Sequence, residues 1–367
     1  MVRQHKPNPT PQTIRKIRYK LLAWYSIHRR KLPWRTKDSQ TPSPYQVLVS
    51  EVMLQQTQVA TVIDYFDRFL KHFPTIEALA LAPEQQVLLL WQGLGYYRRA
   101  RNLHAAAKKI VQEHHGQIPA NHSAISSLPG VGRYTAGAIA SIAFGIRAPI
   151  LDGNVARVLS RWFAIEEPID KPTVRSHLWS LAETLVPEVS PGDFNQAMME
   201  LGSLVCTPRN PRCTTCPIAD LCSTQSQGLA NVLPRRLLKR QPQEVMHHVL
   251  AVKRGRKFVV EQRPLKGLWA GLWQMPTVEM LNTNVSAKQI QNWALQHLGV
   301  TVKLPRPAGN LQHQTTHRSI SAKVWITDVT DGKLHKSRGQ WRTLSNLHDL
   351  PMSILQQNVV ALISNLV

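Results

Sequence analysis

All four cysteines of the chain fall in one short stretch, CTPRNPRCTTCPIADLC, at Cys206, Cys213, Cys216 and Cys222. The spacing C-x6-C-x2-C-x5-C gathers four soft thiolates, a donor set for tetrahedral zinc or an iron-sulfur cluster rather than for disulfides in a reduced compartment. Zinc sites more often come as two separated C-x2-C pairs. The expected cofactor is therefore one four-iron four-sulfur cluster, with zinc as the alternative. Because the protein would supply all four ligands, the centre would be closed and structural. A second pattern is LPGVGRYTAG, Leu128 to Gly137. Pro129 ends one helix, while Gly130 and Gly132 admit backbone geometry that a side chain would obstruct. A new helix opens near Arg133. Such a hairpin turns several backbone N–H groups outward at a helix start, where a phosphate can sit, and Arg133 adds charge.

These loops need elements to hold them. At 367 residues the chain is long enough for two domains, and its 43% hydrophobic content supports real cores. From about 11 to 203, apolar residues such as Val59, Val62, Ile63, Phe66 and Phe69 recur at helical spacing, which predicts an all-α domain. STQSQGLANVLPRRLLKRQPQ, 223–243, has the polar, basic composition of a linker. Beyond it, β-rich runs at 246–254, 257–263 and 319–327 and helical stretches near 286–298 and 352–365 predict an α+β domain. The expected division is thus 1–222, 223–243 and 244–367. A net charge of +23 points to a polyanionic partner, nucleic acid foremost. No apolar run is long enough to span a membrane, and the N-terminus lacks a secretory core, so a cytoplasmic, nucleoid-associated monomer is expected.

In their order, the hairpin LPGVGRYTAGAI, the aspartate of ILDGNVARVLSR and the four-cysteine loop resemble the helix-hairpin-helix DNA glycosylases. Within that superfamily, SEVMLQQTQVATV at 50–62 and GLGYYRRARNLH at 93–104 are similar to the MutY-type adenine DNA glycosylases. The resemblance covers roughly residues 11–222, with a weaker extension beyond. It implies base excision repair: removal of adenine mispaired with 8-oxoguanine or guanine in duplex DNA.

That chemistry needs a proton for the departing base and negative charge near an oxocarbenium-like sugar, tasks that two carboxyl groups in different environments can divide. Glu51, flanked by Val49, Val52 and Met53, is the candidate acid, since apolar surroundings raise its pKa. Asp152, ahead of Gly153, Asn154 and a helical run, is the candidate that stays ionised, and Asn154 joins the catalytic set. Tyr134 stands where related bifunctional enzymes carry the lysine that forms a Schiff base with the sugar. A phenol cannot form that imine, so a monofunctional enzyme is expected. A bifunctional or differently specific glycosylase is thereby disfavoured; a non-catalytic, redox-sensing DNA-binding protein remains the alternative.

The base must be flipped out to be reached. Gln55, Gln56 and Thr57 follow Glu51 by about a turn and are expected at the pocket mouth, with Arg35 of LPWR also on the substrate side. Gln196 of FNQAMMELG matches a family position that touches the flipped adenine. Tyr96 matches an aromatic that inserts beside 8-oxoguanine, and Arg98, Arg99 and Arg101 are expected at phosphates. PLKGLWAGLWQMP and the helix ending in HLGV resemble the Nudix fold, but NWALQHLGV carries no metal-binding carboxylate. A lesion-reading module is implied instead of a hydrolase. Its contact loop is Thr315, Thr316 and His317, where the family often has Phe-Ser-His; the hydroxyl and imidazole are kept and the phenyl is not.

Overall fold

A computed structural model of the chain describes residues 9–35, 42–238, 241–280 and 285–367. Contacts divide it into two compact units, Met1–Leu81 with Asn102–Lys239, and Ala82–Arg101 with Arg240–Val367. The second unit therefore takes a segment from the middle of the region expected to be one helical domain.

The first unit is helical. Its elements are α1 (Pro11–His28), α2 (Pro44–Leu54), α3 (Val59–His72) and α4 (Ile76–Leu81); then, past α5 (Glu84–Leu90) and the start of α6 (Arg98–His114), α7 (His122–Ser126), α8 (Arg133–Phe144), α9 (Gly153–Trp162), α10 (Pro172–Leu185), α11 (Pro191–Leu204) and α12 (Ser223–Ser226). Ile17, Leu21, Trp24 and Tyr25 of α1 fall at i, i+4, i+7 and i+8 and bury one stripe against α9, α10 and α11. Proline opens α1, α2, α10 and α11, where its missing N–H costs nothing. Helix α8 runs so close to the next loop that a Cβ at Gly137 would collide with the carbonyl oxygen of Pro149, which explains a glycine in mid-helix.

The stretch expected as linker is anchored to this unit through much of its length. Arg161 Nε donates to Leu233 O at 2.8 Å, Ile169 N to Arg235 O at 3.0 Å, and Leu237 N to Asp170 Oδ2 at 3.2 Å. Its polar composition hides this, because the contacts are made mostly by backbone.

In the second unit, β1 (Gln243–Arg254) and β7 (Arg318–Gly332) form a parallel central pair. Antiparallel neighbours are β2 (Lys257–Gln262), β3 (Trp273–Gln274), β4 (Thr277–Met280), β5 (Val300–Val302), β6 (Arg306–Gln314) and β8 (Gln340–Thr343). Alternation along β1 sends Val249 and Ala251 into one core with α14 (Ile354–Ser364), and Leu250 and Val252 into another with α13 (Ala287–Leu298). Ser286 and Gln289 cap α13 reciprocally, and Gly299 ends it in the left-handed region. Among the described residues no helix is long and apolar enough to cross a membrane.

Candidate active site and cluster loop

In the first unit, a cavity with about 150 Å³ of free space is lined by Arg35, Glu51, Thr57, Tyr134, Asp152, Asn154 and Gln196, all anticipated from sequence. Four elements meet there. Glu51 comes from α2, Tyr134 from the first turn of α8, Asp152 from the cap of α9 and Gln196 from α11.

Glu51 is 4% exposed, and its Oε2 accepts a hydrogen bond from the Tyr134 hydroxyl at 2.8 Å. Burial is the main reason that its pKa is pushed up to about 7; the Tyr134 bond and Arg35 oppose the rise, and Asp152 adds to it. Asp152 is the N-cap of α9. Its Oδ1 accepts from Val155 N at 2.7 Å and its Oδ2 from Asn154 Nδ2 at 3.0 Å. Burial raises the Asp152 pKa, while Val155, Asn154 and Arg157 hold it down. The two carboxyls differ in kind: among the described residues Val155 and Asn154 donate to Asp152, whereas Tyr134 alone donates to Glu51. Burial, helped by Glu51, drives the Tyr134 phenol well above its ordinary value, so it stays a neutral donor.

Tyr134→Phe would remove the donor that favours the Glu51 anion. The alkaline limb of a pH series of single-turnover base release is expected to move up by about one unit.

Two residues of this site were missed from sequence. Glu200, wholly buried, accepts from Arg35 Nη1 at 2.8 Å and from Arg30 N, Nε and Nη2. Burial alone would raise its pKa, but the two arginines outweigh it and hold Glu200 below the usual carboxylate range. Arg35 is thus charge-compensated within the cavity wall. Glu200 lies four residues after Gln196 on α11, so helical spacing was the available signal. The other is Arg157, whose Nη2 donates to Asn154 Oδ1 at 2.7 Å and whose Nε donates to Cys206 O at 2.8 Å. One side chain therefore ties the turn that carries Asp152 to the start of the cysteine loop.

The other sequence candidates fall around this cavity or in the second unit. Gln55 Nε2 donates to Thr135 Oγ1 at 3.1 Å, and Gln56 is exposed at φ 60°. In the hairpin, Gly130 has φ 75°, and a Cβ there would strike the Asn102 side chain. Gly132 caps α8 without offering any side-chain acceptor, which leaves N–H groups of the first turn for a ligand. Arg133 is exposed, its guanidinium 4.0 Å from the centroid of the Trp179 ring.

In the second unit, Gly93, Gly95 and Tyr96 have φ of 104°, 72° and 48°, a tight loop that leaves Tyr96 46% exposed. Its hydroxyl lies 2.5 Å from Thr316 Oγ1. His317 is exposed, and its carbonyl accepts from Gln243 N at 2.9 Å. The phosphate assignments for Arg99 and Arg101 are corrected. Arg99 is buried, donates to Leu94 O and stacks over Trp91 and Tyr96; Arg101 bonds Glu84 and the Ala270 carbonyl. Arg99 helps to build the Tyr96 loop through Leu94 and Gly95, Arg101 joins α5 to the Ala270 carbonyl, and Arg98 is exposed.

All four cysteines line one small pocket of the first unit. Four thiols in one pocket are a donor set for an iron-sulfur cluster or for zinc. Burial pushes the Cys216 thiol up to about 12 and raises Cys206, so iron must displace protons to bind. Arg161 Nη1 donates to Cys206 Sγ at 3.2 Å, a bond that favours the thiolate. Cys216→Ser is expected to abolish the visible iron-sulfur absorbance. It should also lower the thermal midpoint by on the order of 10 °C, read by absorbance and calorimetry.

A glycine-hinged hairpin, a capping aspartate and a four-cysteine loop define a helix-hairpin-helix base excision repair protein. Residues 49–184 match the family model of the HhH-GPD superfamily base excision DNA repair protein, 206–222 that of the iron-sulfur binding domain of endonuclease III, and 248–362 that of the NUDIX domain. The cofactor is accordingly a four-iron four-sulfur cluster. An adenine DNA glycosylase of Homo sapiens is 36% identical over 406 residues, which span 94% of this chain and 73% of that protein. One from Buchnera aphidicola subsp. Schizaphis graminum (strain Sg) is 34% identical over 334 residues, 90% of this chain and 93% of its own. Among solved structures, a thermostable thymine-DNA glycosylase superposes with a TM-score of 0.53 at 30% identity, covering 59% of this chain and 98% of that one. The chain belongs to the adenine DNA glycosylase family.

Proposed function

We propose that the chain removes adenine standing opposite 8-oxoguanine or guanine in duplex DNA, acts as a monomer and leaves an abasic site. As a family member it is a DNA N-glycosylase, a hydrolase of base excision repair that acts on DNA; the non-catalytic, redox-sensing alternative is not favoured. The observation that supports the bond-breaking chemistry is Glu51, buried and pushed up to about 7 in the same cavity as Asp152; the choice of adenine and of the opposing base rests on the family. A carboxyl group in that position is costly unless its proton is used.

In this reading the protonated Glu51 gives its proton to N7 of the flipped adenine as the bond to the sugar lengthens. Asp152, whose anion Val155 and Asn154 favour against the effect of burial, faces the positive charge that grows on the sugar. Glu51 then takes a proton from the water that adds to the sugar carbon. Tyr134 positions Glu51 and offers no amine for an imine, so no strand cleavage follows. Gln196, Arg35 and Thr57 border the base, with Gln55 and Gln56 at the entrance, and the Gly130–Arg133 hairpin takes a backbone phosphate. Tyr96 fills the stack beside the lesion, which Thr316 and His317 contact. Cys206, Cys213, Cys216 and Cys222 hold the cluster, which supplies structural cross-linking of the loop.

The test uses a duplex with a single adenine opposite 8-oxoguanine. Free adenine together with strand breakage only after hot alkali is expected. Breakage without alkali would overturn the monofunctional reading, and no adenine from iron-loaded, DNA-binding protein would overturn the substrate.

A further inference from the structure

The loop Thr315–His317 is the tip of a hairpin between β6 and β7, and three separate contacts pin it. Thr315 and Arg318 close the turn: Thr315 N donates to Arg318 O at 2.8 Å, and Arg318 N to Thr315 Oγ1 at 2.9 Å. Only Thr316 and His317 project, as in a two-residue hairpin. Gln243 N of β1 holds the His317 carbonyl at 2.9 Å. The third contact comes from β4, where both Glu279 oxygens accept from Arg318 Nη1, at 3.1 and 2.9 Å. Glu279 stands opposite His247 in the β1–β4 register, with its Oε2 3.6 Å from His247 Nε2.

We infer that Glu279 is a positioning residue for lesion discrimination: through Arg318 it sets the hairpin tip so that Thr316 meets Tyr96. Thr315, which stands where the family often has a phenylalanine, contributes a staple across the turn rather than a wedge. Glu279 belongs to the second unit, whereas the cavity belongs to the first, and its bond to the hairpin runs through Arg318. Its effect should therefore fall on the choice between 8-oxoguanine and guanine and not on the bond-breaking step. The inference rests on the reading of Thr316 and His317 as lesion contacts.

The experiment compares full-length parent, Glu279→Gln, and the charge exchange Glu279→Arg with Arg318→Glu. Adenine release is measured on duplexes with 8-oxoguanine or guanine opposite the adenine, and amide hydrogen exchange is measured at Thr315 and Arg318. Expected for Glu279→Gln are faster exchange at the turn, an unchanged rate opposite guanine, and about a threefold loss of preference for 8-oxoguanine, the scale of an exposed ion pair. The exchanged pair should recover much of the preference. Unchanged hydrogen exchange, or a preference equal to that of a discriminating parent, would overturn the role of Glu279. A parent without any preference would instead overturn the lesion-contact reading on which it rests.

Discussion

Glu51→Gln is expected to slow single-turnover adenine release by about 10²–10⁴-fold while DNA affinity holds, because the amide keeps the shape of the acid and loses its proton. In the parent, the rate should fall as pH rises through about 7, the value to which burial lifts Glu51, and fall on the acid side as Asp152 takes a proton. The same burial links folding to pH. Unfolded, Glu51 titrates near 4.5, and folded at about 7. The stability contributed by its neutral form is fully present below the lower value and is lost as pH rises through the upper one. The glutamine variant does not titrate and should gain on the order of 3 kcal/mol over the parent above pH 7. A dead enzyme that is also more stable at pH 8, seen by denaturant unfolding, is a combination that a merely structural Glu51 does not give.

Asp152→Asn separates charge from shape at the second carboxyl. Asparagine caps helices about as well as aspartate, so α9 should keep its start, and the loss of the Asn154 Nδ2 bond should cost the fold about 1 kcal/mol. What is removed is the negative charge facing the sugar. A loss of about 10²–10³-fold in base release is expected. Equal losses of DNA affinity and rate, or a large drop in unfolding midpoint, would mean that Asp152 only builds the turn.

How far these sites could be read from sequence depended on what kind of signal each left. The cysteine spacing and the hairpin glycines are local chemistry, legible without any tertiary knowledge. Strands β1, β2 and β7 announced themselves by apolar runs that end up buried. Strand β6, RPAGNLQHQ, did not, because no residue of it is fully buried and it carries no apolar alternation. The short strands β3, β4, β5 and β8 gave too few residues for any period to show. Arg99 and Arg101 were misplaced for another reason: a basic residue looks the same in sequence whether its donors meet a phosphate or a carbonyl of its own chain. Glu200 and Arg157 went unread because their partners lie far away along the chain.

The excursion of Ala82–Arg101 into the second unit makes the architecture a splice rather than a string. Tyr97 donates to the Met352 carbonyl at 2.9 Å, Met352 N to Gln92 at 2.9 Å, and Trp273 Nε1 to Gln85 at 3.1 Å. A protease cut near 240 would sever the backbone there without freeing the fragment, since part of the same body would remain covalently in the other piece. The Tyr96 loop and the hairpin tip would still travel together, as two halves of one gauge whose jaws were made from different stretches of chain.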